Sequence, residues 1–203
     1  MASSSLPPAL HNAASVFDSL PGVGPRAALR YASWLVTQPK EVILRFAKNL
    51  AELASNMTTC SICYQWADQA ICRICRDPQR DARSLCVVAT SPDVRVIEET
   101  GIFKGRYHVL GGTIDPLEGR TPETLTIRAM LDRIQKNDPP ITEIILALDA
   151  DVPGDTTSLY LRKQLQSLPV KLTRLARGLP TGASLEYADA HTIADALLNR
   201  NDS

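Results

Sequence analysis

The sequence predicts a multidomain α+β protein in which four parts follow one another along 203 residues. Apolar residues recur at helical spacing through residues 1–57, so the first part is helical. Four cysteines stand in two close pairs within residues 58–79, a stretch too short to bury a core of its own. Beyond them, short apolar strands alternate with amphipathic helices, which is typical of a mostly parallel sheet covered by helices. We therefore expect an α/β domain over residues 80–174 and a C-terminal strand/helix segment over residues 175–203.

The composition argues against a membrane-spanning or secreted protein. Hydrophobic residues make up 44% of the chain, yet no apolar run approaches the roughly 18 residues that span a bilayer. The N-terminal "MASSSLPPALHNAAS" has neither the basic flank nor the apolar stretch of a secretory signal. Five cysteines without an export signal favour metal binding over disulfides. We expect a cytoplasmic protein with no membrane partner.

The helical part is predicted to contain three helices. The first covers residues 7–19, and the second begins at Pro25, where the missing N–H of proline costs nothing in a first turn. The third covers about Glu41–Met57 and contains the apolar residues Val42, Leu44, Phe46, Leu50 and Leu53. The stretch "LPGVGP" ends the first helix and begins the second.

That connection carries a pattern that favours nucleic-acid binding. In "LPGVGPRAALRYA", Gly22 and Gly24 allow a sharp turn that exposes successive N–H groups beside a helix N-terminus, a place suited to phosphate. Arg26 and Arg30 are four residues apart and so share one face of the following helix. The pattern resembles the helix-hairpin-helix of DNA repair proteins, which implies DNA contacts that do not read sequence. The alternative is a glycine-rich turn with two solvated arginines.

The paired cysteines predict a structural metal site. "CSICYQWADQAICRIC" has the spacing C-x₂-C-x₈-C-x₂-C and comprises Cys60, Cys63, Cys72 and Cys75. Four thiolates form a closed tetrahedral site that zinc favours, so we expect one Zn²⁺ that folds the segment and does not catalyse. A redox dithiol pair and an iron–sulfur site are the alternatives. Cys86 lies in an apolar strand and is expected to be buried and inert.

The α/β part is read as strands at "LCVVA", "RYHVL", "EIILAL" and "VKLTRL". Helices are predicted at "DVRVIEET", from Thr121-Pro122 to about Gln135, and at "TTSLYLRKQLQSL". "EYADAHTIADALLNR" is predicted to form the C-terminal helix.

Three carboxylates follow the strand "EIILAL". Asp149, Asp151 and Asp155 surround a Pro-Gly turn, and this D-x-D arrangement resembles the Toprim domain of topoisomerases, primases and some nucleases. In catalytic members a glutamate at the end of the first strand joins the aspartates, but here that position is Ala89. The carboxylates therefore suit a weak Mg²⁺ site or a partner-docking surface. They also suit plain helix capping.

The order of the parts, together with "YHVLGG", "DPLEG" and "GLPTGASLEYAD", resembles the RecR family of bacterial recombination proteins over roughly residues 10–200. The resemblance implies a non-enzymatic mediator of recombinational repair. Such a mediator forms ring-like homo-oligomers, dimers or tetramers, on single- or double-stranded DNA. It works with RecO, and often RecF, to load RecA on single strands coated by SSB.

The same resemblance assigns roles to residues by position. Arg26 and Arg30 would contact DNA and the four paired cysteines would hold zinc. A C-terminal Walker-B-like segment would comprise "TRLARGLPTGASLEYAD", with Arg174, Arg177, Glu186 and Asp189. No GxxxxGK[ST] loop is present, so ATP hydrolysis by a P-loop is not expected.

Two departures from the family keep a second function open. Besides Ala89, the loop around Asp149 differs from the family's usual sequence. The alternative to the mediator is a Mg²⁺-dependent Toprim nuclease or primase-like enzyme that uses Asp149 and Asp151. The missing glutamate favours the mediator.

Overall fold

A computed structural model of the chain describes residues 6–200. The outer ends of the first and last predicted parts, residues 1–5 and 201–203, lie outside the described residues. The predicted fold class is confirmed, because a helical unit precedes a four-cysteine cluster, a parallel sheet and a C-terminal helix. The chain divides into two compact units, with the boundary between Asn56 and Met57. Across residues 6–200, no helix combines the length and the apolar character needed to cross a membrane.

The first unit consists of three helices, α1 (Pro8–Asp18), α2 (Pro25–Val36) and α3 (Lys40–Asn56). Helices α1 and α2 pack against each other, and the small side chains of Ala28 and Ala32 on α2 are buried. Small residues at a helix contact let the two backbones approach closely, so this pair is held in a fixed arrangement.

The turn between α1 and α2 follows from its proline and glycines. Val23 N–H donates to the Leu20 carbonyl (3.1 Å), and Gly22 has a φ of 76°. Proline followed by a positive-φ glycine is the pattern of a type II turn. Gly24 is then the N-cap of α2, with Pro25 in the first turn.

The cysteine segment begins the second unit. Strands β1 (Thr58–Thr59) and β2 (Trp66–Ala67) pair antiparallel on either side of the first cysteine pair. Helix α4 (Arg73–Arg76) is a single turn that carries the second pair, with Cys72 as its N-cap. Neither element is long enough to be stable alone.

The main sheet has four parallel strands in the order β4-β3-β5-β6. These strands are β3 (Asp81–Val88), β4 (Gly105–Val109), β5 (Glu143–Ala147) and β6 (Lys171–Arg174). The helices between them are α5 (Ser91–Glu99), α6 (Ile127–Lys136) and α7 (Val152–Leu165), and α8 (Ala190–Leu198) follows β6. From β3 the chain first adds β4 on one side and then returns to add β5 on the other side. The direction of strand addition therefore reverses at the β3–β5 pair, which is the topological switch point of the sheet.

The two faces of the sheet are buried by different partners. Alternate residues of β3 point to opposite faces, with Leu85 and Val87 on one and Cys86 and Val88 on the other. The first face packs against apolar residues of α6 and α7. The second face packs against the cysteine segment and α5. Cys86 is 2% exposed in that second core, as expected for a small apolar residue.

Three helix starts differ from the sequence-based prediction. The C-terminal helix, predicted from Glu186, begins at Ala190 because Asp189 caps it and residues 185–187 form a separate 3₁₀ turn. Helix α6 begins at Ile127, and the prediction of a start at Thr121-Pro122 was wrong. The Thr124 hydroxyl donates to the Thr121 carbonyl (2.9 Å), and residues 121–126 form turns that bury Leu125. Helix α7 begins earlier than predicted, because Asp151 caps it.

An arginine–glutamate pair joins the end of the cysteine segment to α5. The Arg80 guanidinium contacts both carboxylate oxygens of Glu98, with one Nη1–Oε1 distance of 2.8 Å. Tyr107 Oη also donates to Glu98 (2.7 Å). Arg80 holds the pKa of Glu98 below its ordinary value, although burial opposes the shift.

Replacing Glu98 should therefore destabilise the second unit. We expect Glu98→Gln to lower the free energy of unfolding by about 1–3 kcal/mol at neutral pH, because Arg80 loses its partner in a largely buried place. The matched control is Glu99→Gln. Glu99 makes only an exposed pair with Arg95 (3.1 Å), so this change should cost about 0.5 kcal/mol or less. Urea unfolding at saturating zinc measures both variants.

The pH dependence has a definite sign. Because the folded-state pKa of Glu98 is depressed, its contribution is complete above the ordinary pKa and is lost as the pH falls through the folded-state value. Equal costs for Glu98→Gln and Glu99→Gln at pH 7 would contradict the assigned role of the pair.

Candidate metal centre and nucleic-acid interface

The four cysteines converge on one point. The sulfur atoms of Cys60, Cys63, Cys72 and Cys75 all lie within 4.8 Å of one another. The Cys63 and Cys72 sulfurs are 3.6 Å apart, close to the roughly 3.8 Å between ligands of a tetrahedral site with Zn–S bonds of about 2.3 Å. The donor set and its spacing therefore fit a metal ion. Across residues 6–200 this is the one group of three or more potential ligands that meets so closely.

Backbone amides support the sulfurs. Cys72 N–H donates to the Cys60 sulfur (3.3 Å) and Cys75 N–H donates to the Cys72 sulfur (3.4 Å). Hydrogen bonds from the neighbouring thiols lower the pKa of Cys72, and its hydrogen bond to Cys72 raises the pKa of Cys63. The closely spaced sulfurs therefore share protons among themselves. Metal binding would replace those protons, because the metal ion binds thiolates.

The first knuckle contains a residue in an unusual conformation. Tyr64 follows Cys63 and has a φ of 65°, the left-handed region that glycine favours. Its N–H donates to the Cys60 carbonyl (3.0 Å), which closes the knuckle. The Tyr64 ring lies 5.3 Å from the buried His108 ring. This packing fixes the knuckle against β4, and the sequence pattern gave no sign of it.

Hydrogen bonds join the cysteine segment to the sheet and to α5. Val109 N–H at the end of β4 donates to the Cys63 carbonyl (2.8 Å), and Trp66 N–H donates to the Ser91 hydroxyl (2.9 Å). Cys60, Cys63 and Cys72 are buried in the same core as that face of the sheet. The position of the knuckles is therefore set by the sheet, and one face of the sheet is covered by the knuckles.

The predicted DNA-contacting residues lie together on the surface of the first unit. Gly24 caps α2, and Arg26 and Arg30 are exposed on its first two turns. The Arg30 guanidinium lies 5.5 Å from the centre of the Tyr31 ring, which limits its freedom. Neither arginine has an ion-pair partner among residues 6–200. The free N–H groups at the helix start and two cations form a place where phosphate could bind.

The three predicted carboxylates lie at the C-terminal end of β5 but have different surroundings. Asp151 accepts a hydrogen bond from Gly154 N–H (2.7 Å) as the N-cap of α7. Asp155, in the first turn of α7, accepts two hydrogen bonds from Arg177 (2.5 and 3.0 Å), which lower the pKa of Asp155. Asp149 is exposed. The carboxylates are therefore not gathered into one ligand set in the described chain.

The crevice between β3 and β5 is where a parallel sheet of this order places a ligand. Asp149 stands on the β5 side of the crevice, and Ala89 stands on the β3 side, where it offers only a methyl group. The Ala89 carbonyl accepts from Gly111 N–H and Gly112 N–H (both 2.9 Å). Asp93 does not replace the missing acid, since its carboxylate accepts from Thr90 N–H (2.7 Å) at the start of α5.

Sequence reasoning missed Arg133, and it placed Arg177 in the C-terminal segment without predicting its pairing with Asp155. The Arg177–Asp155 pair holds the segment after β6 against α7, and Asn199 donates to the Arg177 carbonyl (3.3 Å). Arg133 of α6 donates to the Tyr107 carbonyl (2.6 Å) and to the Ile62 carbonyl (3.5 Å) inside the first knuckle. Spacing alone could not identify either residue, because the contacts span 22 to 71 positions.

These features define a multidomain Toprim protein that combines a helix-hairpin-helix unit with a four-cysteine cluster. Comparison with protein families gives the same order of parts. Residues 11–54 match the family model "RecR, helix-hairpin-helix", residues 83–176 match "Toprim domain", and residues 178–201 match "RecR, C-terminal".

Full-length relatives identify the family. The chain is 42% identical over 196 residues to "Recombination protein RecR" of Bdellovibrio bacteriovorus, covering 95% of this chain and 96% of that protein. It is 46% identical over 184 residues to the protein of the same name from a Nocardioides species, covering 91% and 92%. The chain belongs to the RecR family of recombination proteins, which act in DNA repair.

The acidic loop gives a prediction that separates its two neighbouring aspartates. We expect Asp151→Ala to lower the free energy of unfolding by about 1 kcal/mol, because α7 loses its N-cap. Asp149→Ala, two residues away and exposed, should change it by less than about 0.5 kcal/mol. Urea unfolding of the two variants measures the difference. A larger cost at Asp149 than at Asp151 would show that the loop is built on other contacts.

Proposed function

We propose that this chain is a non-enzymatic, DNA-binding mediator of recombinational repair. It acts as an oligomeric clamp with RecO, and often RecF, to promote RecA loading on SSB-coated single-stranded DNA. The observation that carries the DNA-binding part is the exposed pair Arg26 and Arg30 beside the Gly22–Gly24 turn at the start of α2. Membership of the RecR family supports the role in recombination and the choice of partners.

The mode of DNA binding follows from the chemistry of this surface. Two guanidinium groups and helix N–H donors recognise phosphate, and phosphate contacts carry no base sequence. Binding should therefore accept single- and double-stranded DNA and weaken as the salt concentration rises. One such patch is small, so several patches in one assembly would bind far more tightly than one.

Exposed apolar residues support assembly into a ring-like homo-oligomer, a dimer or a tetramer. Helix α3 has no buried residue in the single chain. Its large apolar side chains are instead 43% to 58% exposed; they are Leu44, Phe46, Leu50 and Leu53. Phe46, Leu50 and Leu53 recur at helical spacing on one face, whereas Leu44 lies on the opposite side of the helix. An exposed apolar helix face of this kind is typical of a surface that a second subunit covers.

The cysteine cluster is assigned to structural zinc. Four thiolates leave no open position for water or substrate, so the metal would contribute folding energy and no catalysis. A cluster of this kind persists where thiols stay reduced, which agrees with action in the cytoplasm.

The Toprim crevice is assigned to docking or weak Mg²⁺ binding at Asp149, Asp151 and Asp155. Ala89 supplies no acid or base to the crevice, and Asp151 and Asp155 are engaged by a helix cap and by Arg177. Mg²⁺ keeps most of its waters and could still use one or two of these carboxylates from outside. This arrangement supports the absence of enzymatic activity.

Removing the two arginines tests the proposed DNA interface. We expect Arg26→Ala combined with Arg30→Ala to weaken single-stranded DNA binding at least tenfold. The slope of log affinity against log salt should also decrease by about 1.4, which corresponds to two lost phosphate contacts. Fluorescence anisotropy of a labelled oligonucleotide over a salt series measures both quantities. The control, Arg128→Ala with Arg162→Ala, removes two exposed charges from the second unit and should leave the affinity unchanged.

Two results would contradict the proposal. Unchanged affinity of the Arg26/Arg30 variant at low salt would show that DNA binds elsewhere. Cleavage of the same oligonucleotide with Mg²⁺ or Mn²⁺, lost in Asp149→Ala, would instead favour a Toprim nuclease.

A further inference from the structure

Arg133 is a largely buried cation without an acidic partner. It projects from α6, and no carboxylate lies within ion-pair distance of it among residues 6–200. Its hydrogen bonds go only to neutral acceptors, the backbone carbonyls of Tyr107 (2.6 Å) and Ile62 (3.5 Å). A cation partly removed from water is stabilised when a negative charge lies nearby, which directs attention to the groups around Arg133.

The surrounding groups on the sheet do not supply that charge. Arg106 of β4 is near enough to repel Arg133, and its own Nε has no hydrogen-bond partner among the described residues. Burial lowers the pKa of His108 to about 4, so this side chain is neutral at pH 7. Arg106 and His108 are thus positive and neutral, so neither of these β4 side chains balances the charge of Arg133.

The cysteine cluster is the source of negative charge near Arg133. Burial lowers the pKa of Arg133, and the sulfurs of Cys75 and Cys63 oppose this effect. Ile62, whose carbonyl accepts from Arg133, lies between Cys60 and Cys63 in the first knuckle. Four thiolates around one divalent cation carry a net charge of about −2. Loaded with metal, the cluster is the anion that Arg133 lacks.

We propose that Arg133 is the counter-charge of the metal-loaded cysteine cluster and raises the affinity of the cluster for zinc from outside the ligand set. The inference rests on the zinc site of the proposed function. Arg133 reaches the cluster past β4, an edge strand whose Tyr107 carbonyl has no neighbouring strand on its outer side. The same side chain thereby caps the sheet edge and stabilises the negative charge of the knuckles. Residues outside the ligand set commonly change metal affinity in this way.

The test separates charge from hydrogen bonding. We expect Arg133→Gln, which keeps a donor without charge, to weaken zinc binding about 10- to 100-fold. Arg133→Lys keeps the charge and should bind zinc within about threefold of wild type. Arg128→Gln, an exposed change on the same helix, should have no effect. Competition of the full-length protein with a chromophoric chelator at fixed pH measures the zinc affinities.

A spectroscopic measurement tests whether the substitutions instead distort the arrangement of the four cysteines. The absorption spectrum of the cobalt-substituted protein reports ligand geometry, and it should be the same in wild type, Arg133→Gln and Arg133→Lys. Arg133→Met serves as a second neutral variant if Arg133→Gln does not fold. Failure of all three Arg133 variants to fold in saturating zinc would overturn the proposal, because charge would then not be the property that matters.

The outcomes distinguish this inference from the zinc assignment beneath it. Wild-type protein that binds no zinc would refute both. Wild-type protein that binds one zinc per chain, with equal affinity in Arg133→Gln, would refute only the role of Arg133. Equal weakening in Arg133→Gln and Arg133→Lys would also overturn it, because the shape of the guanidinium would then matter more than its charge.

Discussion

The convergence of four sulfurs at the cysteine cluster is the constraint on which the second unit depends. A parallel sheet must be covered on both faces, and helices usually do so. Here α6 and α7 cover one face, whereas the other is covered by α5 together with a segment that has only two short strands and one helical turn. Such a segment is too short to hold its own shape, so a metal ion shared by its four cysteines would stabilise it, and the hydrogen bond from Val109 to Cys63 sets its position on the sheet.

This dependence links the metal site to the architecture of the Toprim crevice. The strand that donates to the first knuckle, β4, leads directly into Gly111 and Gly112, whose amides bind the Ala89 carbonyl. The first knuckle is therefore connected to the end of β3 through β4 and the two glycine amides. At the end of β5 the carboxylates serve the local structure: Asp151 caps α7 and Asp155 pairs with Arg177. The corresponding end of β3 carries Ala89, which supplies no acid or base.

Much of this could be predicted from the sequence, because the signals are local. Apolar period, glycine position and cysteine spacing each depend on neighbours a few residues away, so the helices, the Gly22 turn and the paired cysteines could be recognised. The start of α6 was misplaced because Thr121-Pro122 resembles a helix start, while burial of Leu125 and the contact of Thr126 with the Val109 carbonyl (2.7 Å) delay the helix. The contacts of Arg133 with the first knuckle and of Arg177 with Asp155 could not be predicted, since only the folded chain brings these residues to their partners.

We infer that a metal ion in the cysteine cluster holds the knuckles on the sheet. Hydrogen exchange of the full chain, followed by mass spectrometry before and after zinc removal, tests this most directly. After zinc removal, residues 58–78 and the end of β4, including the Val109 amide, should lose protection, while α1 and α2 should keep theirs because they belong to a separate compact unit. Unchanged protection of residues 58–78 after complete zinc removal would contradict the claim.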